Sequence, residues 1–196
     1  MSFQFFEDFK VQDERNRSYR LLIEESTALS RAHALINENV RYHVALNGNK
    51  HILKTPAVQN FTLSMDFELT CLKNEFGYGL QYHFRYDREK RVGHHLECFW
   101  DKDDVFHVAL NDRVVFHDKK STGLINTPAK AELTVMGNEG TLKIADWQVR
   151  FDIPEGNDYP DRGQVAFDSC FCPGGTLLVD ALSFSTDDPL KKHRVG

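Results

Sequence analysis

The sequence predicts an all-β fold, a sandwich of two antiparallel sheets with few or no helices. The strongest evidence is strict alternation of apolar and polar residues in FTLSMDFEL (61–69) and GYGLQYHFRYD (77–87). A period of two places alternate side chains on opposite faces of a strand. Short segments of this kind follow one another with brief turns and no intervening helices, which is typical of antiparallel sheets. The 15 phenylalanines suit the wide interior between two sheets.

The order of elements follows from the same pattern and from the turn residues between the segments. Residues 26–40 stay open between a helix capped near Ser26 or Thr27 and two short strands. Asn47–Asn49 (NGN) and Gly137–Gly140 (GNEG) indicate turns. Strands are predicted at 2–11, 19–25, 42–46, 61–70, 78–86, 92–100, 105–110, 113–117, 131–136, 141–151, 163–169 and 176–185.

Length and charge limit the organisation and the partners. The 196 residues predict one sandwich domain over 1–186 and a polar tail or linker over 187–196. The net charge of -5, with basic residues interleaved among acidic ones, argues against nucleic acid as a partner. No apolar run approaches the ~20 residues that a membrane span needs. The acidic N-terminus lacks a signal core, so we expect a cytoplasmic chain, or a secreted one if a leader was removed before this numbering. No oligomeric state is predicted.

The order of these motifs resembles the concanavalin A-like, or laminin G-like, jelly-roll superfamily. The resemblance covers about 60–185 and rests on FTLSMDFEL, GYGLQYHFRYD, HHLECFW, AELTVMGNEGTLKI, GQVAFDS and TLLVDALSFS. It implies a two-sheet jelly roll of the lectin or glucanase type. The superfamily includes lectins, carbohydrate-binding modules, glycoside hydrolases, polysaccharide lyases and protein-binding modules, so the resemblance does not choose a function.

Projection of the strands predicts a polar working face. If 78–117 forms a meander in one sheet, polar side chains of three strands share one side of it. Such planar hydrogen-bonding groups hold sugars, and jelly-roll carbohydrate proteins carry their ligand on a concave sheet. The alternative is a face that is polar because it is wet. The predicted ligand-binding residues are Gln81, His83, Arg85, His95, Glu97 and His107, with His117 beside them.

We therefore predict glycan binding by a lectin-like domain, including a role as an accessory to a carbohydrate-active enzyme. A glycoside hydrolase or polysaccharide lyase is the first alternative, and a protein-interaction module is the second. Hydrolysis needs two carboxyl groups about 5–9.5 Å apart. Glu97 paired with Glu68 or Asp66 is the candidate pair, but the E-x-D-x-x-E motif of jelly-roll glucanases is absent. Binding without catalysis is favoured.

The sequence requires no cofactor, although its residues offer ligands for two metals. Zinc would need His83, His95 and His107 to converge. The resemblance implies a structural Ca²⁺ that ties the first strand to the last. Its predicted ligands here are Glu7, Asp8 and Asp180, which are hard oxygen donors.

Three large aromatic residues complete the predictions. Trp100 and Trp147 alternate with apolar residues, so both are predicted in the core. Tyr159 lies in the irregular segment 155–163 and is predicted to be the exposed aromatic residue.

Overall fold

The computed structural model describes residues 2–7, 22–25, 42–45, 50–70, 77–119, 124–156, 158–170 and 176–188. These residues form strands, turns and irregular segments, and none of them is helical. Over the same ranges there is consequently no helix able to cross a membrane. The strands are β1 (Phe3–Glu7), β2 (Leu22–Glu25), β3 (Tyr42–Ala45), β4 (Lys50–Leu53), β5 (Phe61–Thr70), β6 (Tyr78–Asp87), β7 (Val92–Trp100), β8 (Phe106–Leu110), β9 (Arg113–Asp118), β10 (Ala129–Met136), β11 (Glu139–Ile144), β12 (Trp147–Asp152), β13 (Gln164–Cys170) and β14 (Thr176–Thr186).

The fourteen strands form two antiparallel sheets. The first sheet has the order β1-β14-β5-β10-β11-β12, and β3 also pairs with β14. The second sheet has the order β2-β4-β13-β6-β7-β8-β9. Neighbours that are distant in sequence, such as β14 and β5, show that the chain crosses repeatedly between the sheets. The predicted all-β, two-sheet sandwich is confirmed.

Two elements differ from the sequence prediction. Strand β4 was not predicted, because its four residues are too few to show a period. The segment 141–151 was predicted as one strand, but it forms β11 and β12 around a tight turn at Ala145, whose φ is +47°. Residues 26–40, where the helix was left open, lie outside the described residues. The chain packs on the domain as far as Asp188, whose carboxylate accepts a hydrogen bond of 2.7 Å from the Asn60 amide.

Alternation fills the space between the sheets with aromatic side chains. Trp100 is fully buried, as predicted, and its ring stacks on Tyr78 at 5.2 Å and packs against Phe106 at 4.8 Å. Trp147 packs against this cluster but stays partly exposed, since its indole N–H donates to Asp118 at 3.1 Å. Large aromatic rings span the interior where two sheets face each other.

A bulge in β6 breaks the predicted alternation at Arg85. The backbone φ of Arg85 is +49°, and the pairing of β6 with β7 skips between Phe84 and Asp87. One extra residue in a strand reverses the faces of the residues that follow it. Tyr86, which the alternation of 77–87 predicts on the core face with Phe84, therefore joins Ile52 on the opposite face of the sheet.

A second bulge affects β9. The pairing of β8 with β9 shifts between Val108 and Ala109, so that Val114 lies opposite Ala109. Alternation in VVFH (114–117) predicts that Val114 and Phe116 face the core. This prediction is wrong for Val114, whose side chain is 53% exposed. Phe116, on the other side of the bulge, packs against the core as predicted.

Candidate functional site

The second sheet turns one face toward the core and one face away from it, and we call the latter the outer face. Strand pairing sets Gln81 opposite Glu97, and His83 opposite His95. Two residues beyond Glu97 in β7, Phe99 lies opposite His107 of β8. Because β7 has no bulge over these positions, His95, Glu97 and Phe99 all share the outer face. Five of the six predicted ligand-binding residues are thereby brought onto one surface: Gln81, His83, His95, Glu97 and His107.

Glu97 and Gln81 form a hydrogen-bonded pair at the centre of this surface. The Gln81 amide donates to the Glu97 carboxylate at 2.9 Å. Partial burial raises the pKa of Glu97, since desolvation disfavours the charged carboxylate. The Gln81 carbonyl and the second Glu97 oxygen can accept hydrogen bonds from a ligand hydroxyl.

Aromatic rings continue the outer face toward its edge. Phe99 stacks on His107 with 5.0 Å between ring centroids. Asp101 holds the His107 ring in place through a hydrogen bond of 3.0 Å. Gly79, opposite Phe99, is required here because a Cβ at that position would lie 2.6 Å from the Phe99 Cβ. Phe99 was not among the predicted binding residues. The alternation of β7 nevertheless indicates it, because Phe99 falls on the same side of the strand as His95 and Glu97.

The other end of the outer face is closed. His83 is only 7% exposed, and its neighbours Ile52 and Ala166 are fully buried. Burial, together with a smaller effect of the nearby Lys50, lowers the pKa of His83 to about 3. The surface that a ligand can reach therefore comprises Gln81, His95, Glu97, Phe99 and His107.

Arg85 does not lie on the outer face, and this part of the sequence prediction is wrong. The bulge directs its side chain to the end of the sandwich, where its guanidinium donates to the carbonyl oxygen of Gly137 in the β10–β11 turn. Assigning strand faces by strict alternation cannot detect a bulge, because the extra residue does not change the order of apolar and polar residues in the sequence.

The proposed catalytic pairing of Glu97 with Glu68 or Asp66 is also wrong. Glu68 and Asp66 belong to β5 in the first sheet, where they alternate with the buried Phe67. They therefore face away from the core on the opposite side of a sandwich whose sheets pack about 10 Å apart. Carboxyl groups so separated cannot flank one glycosidic bond.

The histidines of the outer face pair with separate carboxylates. His95 lies 3.2 Å from Asp112, and His107 bonds to Asp101. Pairing places His107 beside Phe99, four residues along β7 from His95, which lies opposite His83, so the three histidines that zinc would need do not converge. Across the described ranges, no three His, Cys, Asp or Glu residues could hold a metal ion together.

The predicted calcium ligands are only partly described. The backbone of Glu7 pairs with Leu182 of β14, two residues beyond Asp180. Asp180 itself lies at a register shift in β14. Asp8 is outside the described residues, as is the side chain of Glu7. A calcium ion linking the first strand to the last stays a prediction.

Buried histidines make the stability of the fold dependent on pH. Burial lowers the pKa of His83 to about 3 and that of His94 to about 4, while an unfolded histidine titrates near 6.5. Below pH ~6.5 the unfolded state binds more protons than the folded state, so stability falls as the pH falls through this window. Each of the two histidines is expected to contribute a slope of about 1.4 kcal/mol per pH unit there.

Urea denaturation at pH 7, 6 and 5 measures this slope. His94→Gln should flatten it by about 1 kcal/mol per pH unit on average between pH 7 and 5, since an unfolded histidine titrates within this window. His117→Gln, at an exposed position, is the matched control for the substitution itself. An unchanged slope in His94→Gln would mean that His94 is not held neutral by the fold.

Comparison with known proteins places this architecture. Neither a protein-family model nor a curated protein sequence matches the chain. Solved structures do match. Lectin II from Ulex europaeus gives a TM-score of 0.59 at 12% identity, with 95% of this chain and 98% of that chain covered. The chain has a concanavalin A-like fold.

Two further structures share this concanavalin A-like fold. The carbohydrate recognition domain of Emp46p, in a potassium-bound form, gives a TM-score of 0.61 at 10% identity, covering 90% of this chain and 93% of that one. A structure connected with the endo-acting O-glycanases that prominent members of the human gut microbiota express gives a TM-score of 0.65 at 10% identity. The match covers 92% of this chain and 97% of that chain. Identities this low establish the fold alone.

Proposed function

We propose that the outer face binds a carbohydrate. The observation that carries the proposal is the reachable surface itself, where the Gln81–Glu97 pair adjoins the stacked rings of Phe99 and His107. A sugar ring offers hydroxyl groups around its edge and C–H groups on its faces. Amide and carboxylate groups match the hydroxyls, while a planar aromatic ring packs against the C–H face.

Two features support this proposal over a face that is merely wet. The polar groups are held before any ligand arrives, since Gln81 and Glu97 bond to each other and Asp101 fixes His107. Preorganised groups lose less conformational freedom on binding. The concanavalin A-like neighbours include a lectin and a carbohydrate recognition domain, which agrees with a sugar as the ligand. The same surface would serve an accessory domain that holds a carbohydrate-active enzyme on its substrate.

Binding to the outer face is tested with Phe99→Ala and Glu97→Gln in glycan-array and affinity-gel experiments. Each variant should weaken binding about tenfold or more, because each removes a stacking surface or a charged hydrogen-bond acceptor. Glu68→Gln supplies the matched control, since it makes the same change on the opposite side of the sandwich. Equal binding by all three variants and the native chain would refute the site.

The second candidate function is acid catalysis by Glu97, in which hydrolysis would need a second carboxyl group other than Glu68 or Asp66. The raised pKa of this carboxyl is the property that a glycosidase acid needs. Release of reducing ends that is lost in Glu97→Gln, with binding retained, would support a hydrolase. If Glu97→Gln loses sugar binding and the native chain shows no hydrolysis, the result would support a binding domain. Absence of sugar binding altogether would favour a protein-interaction module.

A further inference from the structure

A second polar cleft lies at one end of the sandwich, apart from the outer face. It has a volume of about 770 Å³, and we call it the end cleft. The β10–β11 turn and residues 154–156 and 159–162 form its walls. The residues that line the end cleft include Gln59, Arg85, His94, Tyr159 and Asp161.

Arg85 is a buried cation whose hydrogen-bonding capacity is largely unused. Its side chain is 4% exposed, and its Nε is buried without a hydrogen-bond partner among the described residues. The guanidinium donates to the Gly137 carbonyl, yet none of the described carboxylates lies within ion-pair distance of it. Asp161 and Asp188 act on Arg85 only at longer range. A buried arginine is normally paired with an anion.

His94 and Tyr159 form an aromatic wall beside Arg85. Their rings stack with 4.3 Å between centroids. The Asn111 amide lies 3.0 Å from the His94 Nδ1, and since an amide N–H can only donate, Nδ1 must accept and the proton resides on Nε2. His94 is therefore a neutral donor on this wall. Tyr159 is partly exposed, in agreement with its predicted place as an accessible aromatic residue.

We propose that the end cleft binds the carboxylate of an acidic sugar, with the Arg85 guanidinium holding the carboxylate and the Tyr159 ring packing against the sugar. A planar guanidinium matches a carboxylate through paired N–H···O bonds. Gln59, on the same cleft, supplies amide groups that suit sugar hydroxyls. Asp161 and Glu155 at the rim are negative, so a single carboxylate fits this cleft better than a densely charged polymer. The proposal is independent of carbohydrate binding at the outer face.

Titration of the full chain with methyl β-glucuronoside, followed by NMR, tests the proposal. We expect the backbone amides of Gly156 and Tyr159 to shift, and methyl β-glucoside, which lacks the carboxylate, to bind at least tenfold more weakly. Acetate separates a sugar acid from a bare carboxylate, and it should also bind at least tenfold more weakly than the glucuronoside. Shifts confined to Glu97 and Phe99 on the outer face would overturn the proposal. So would equal affinity for the glucuronoside and either of the other two probes.

Two variants locate the binding groups. Arg85→Met keeps an unbranched stem but removes the guanidinium, and it should weaken glucuronoside binding at least tenfold. Tyr159→Ala, at a partly exposed position, should weaken it several-fold. Glu68→Gln, which lies in the first sheet and outside the end cleft, should leave it unchanged. Unchanged glucuronoside affinity in Tyr159→Ala, together with unchanged affinity in Arg85→Met where that variant folds, would refute the assignment.

Discussion

Replacement of Trp100 by alanine is expected to lower the free energy of unfolding by about 3–5 kcal/mol. The side chain is fully buried and packs against Tyr78, Phe106 and Trp147, so its removal leaves a large cavity between the sheets. The surrounding rings come from both sheets and cannot collapse into the space without moving a strand. Urea denaturation followed by circular dichroism measures the change.

The neighbouring residue provides the matched control for Trp100. Phe99 precedes it in β7 but faces outward, so Phe99→Ala should cost roughly 1 kcal/mol or less while it weakens glycan binding. Two adjacent aromatic residues would then affect two different properties. A loss of less than 1 kcal/mol in Trp100→Ala would contradict its place in the core.

Replacement of Gly163 by alanine is expected to destabilise the fold by about 1–3 kcal/mol through overpacking. A Cβ at Gly163 would lie 2.2 Å from the carbonyl carbon of Arg85 and 2.4 Å from the backbone nitrogen of Tyr86. Both atoms belong to the backbone of the β6 bulge, so no side-chain rotation can relieve the contact. Gly163 also exchanges two backbone hydrogen bonds with Val58, at 2.8 and 3.0 Å, which limits its own movement.

Gly156→Ala is the control for this substitution. A Cβ at Gly156 meets no atom within 4 Å, and the change in stability should stay within about 0.5 kcal/mol. The added Cβ at Gly163 would displace the bulge that orients Arg85. Gly163→Ala should therefore also weaken binding of the glucuronoside in the end cleft. Equal stabilities of the two alanine variants in urea denaturation would show that the bulge yields without cost.

The outer-face site could be predicted from the sequence where the strands are regular. His95 and Glu97 alternate with Leu96 and Cys98 in β7, and regular pairing carries the same alternation to Gln81 in β6. The backbone geometry of a strand fixes which side chains share a face, so neighbouring residues suffice to identify the face. The same rule places Phe99 on the outer face. A search restricted to polar residues omits it, because its side chain is apolar.

Residues beyond a bulge, or in another sheet, could not be placed in this way. One extra residue in β6 moves Arg85 into the end cleft and Tyr86 onto the outer face, and no apolar pattern records it. Glu68 and Asp66 have the same alternating surroundings as Glu97, yet β5 pairs with β14 and β10 in the first sheet. Alternation within a strand is local and readable from the chain, whereas strand partners and bulges depend on long-range pairing and packing. The sequence thus specifies the strands and their polar faces, and the assembled sandwich specifies which of those faces meet.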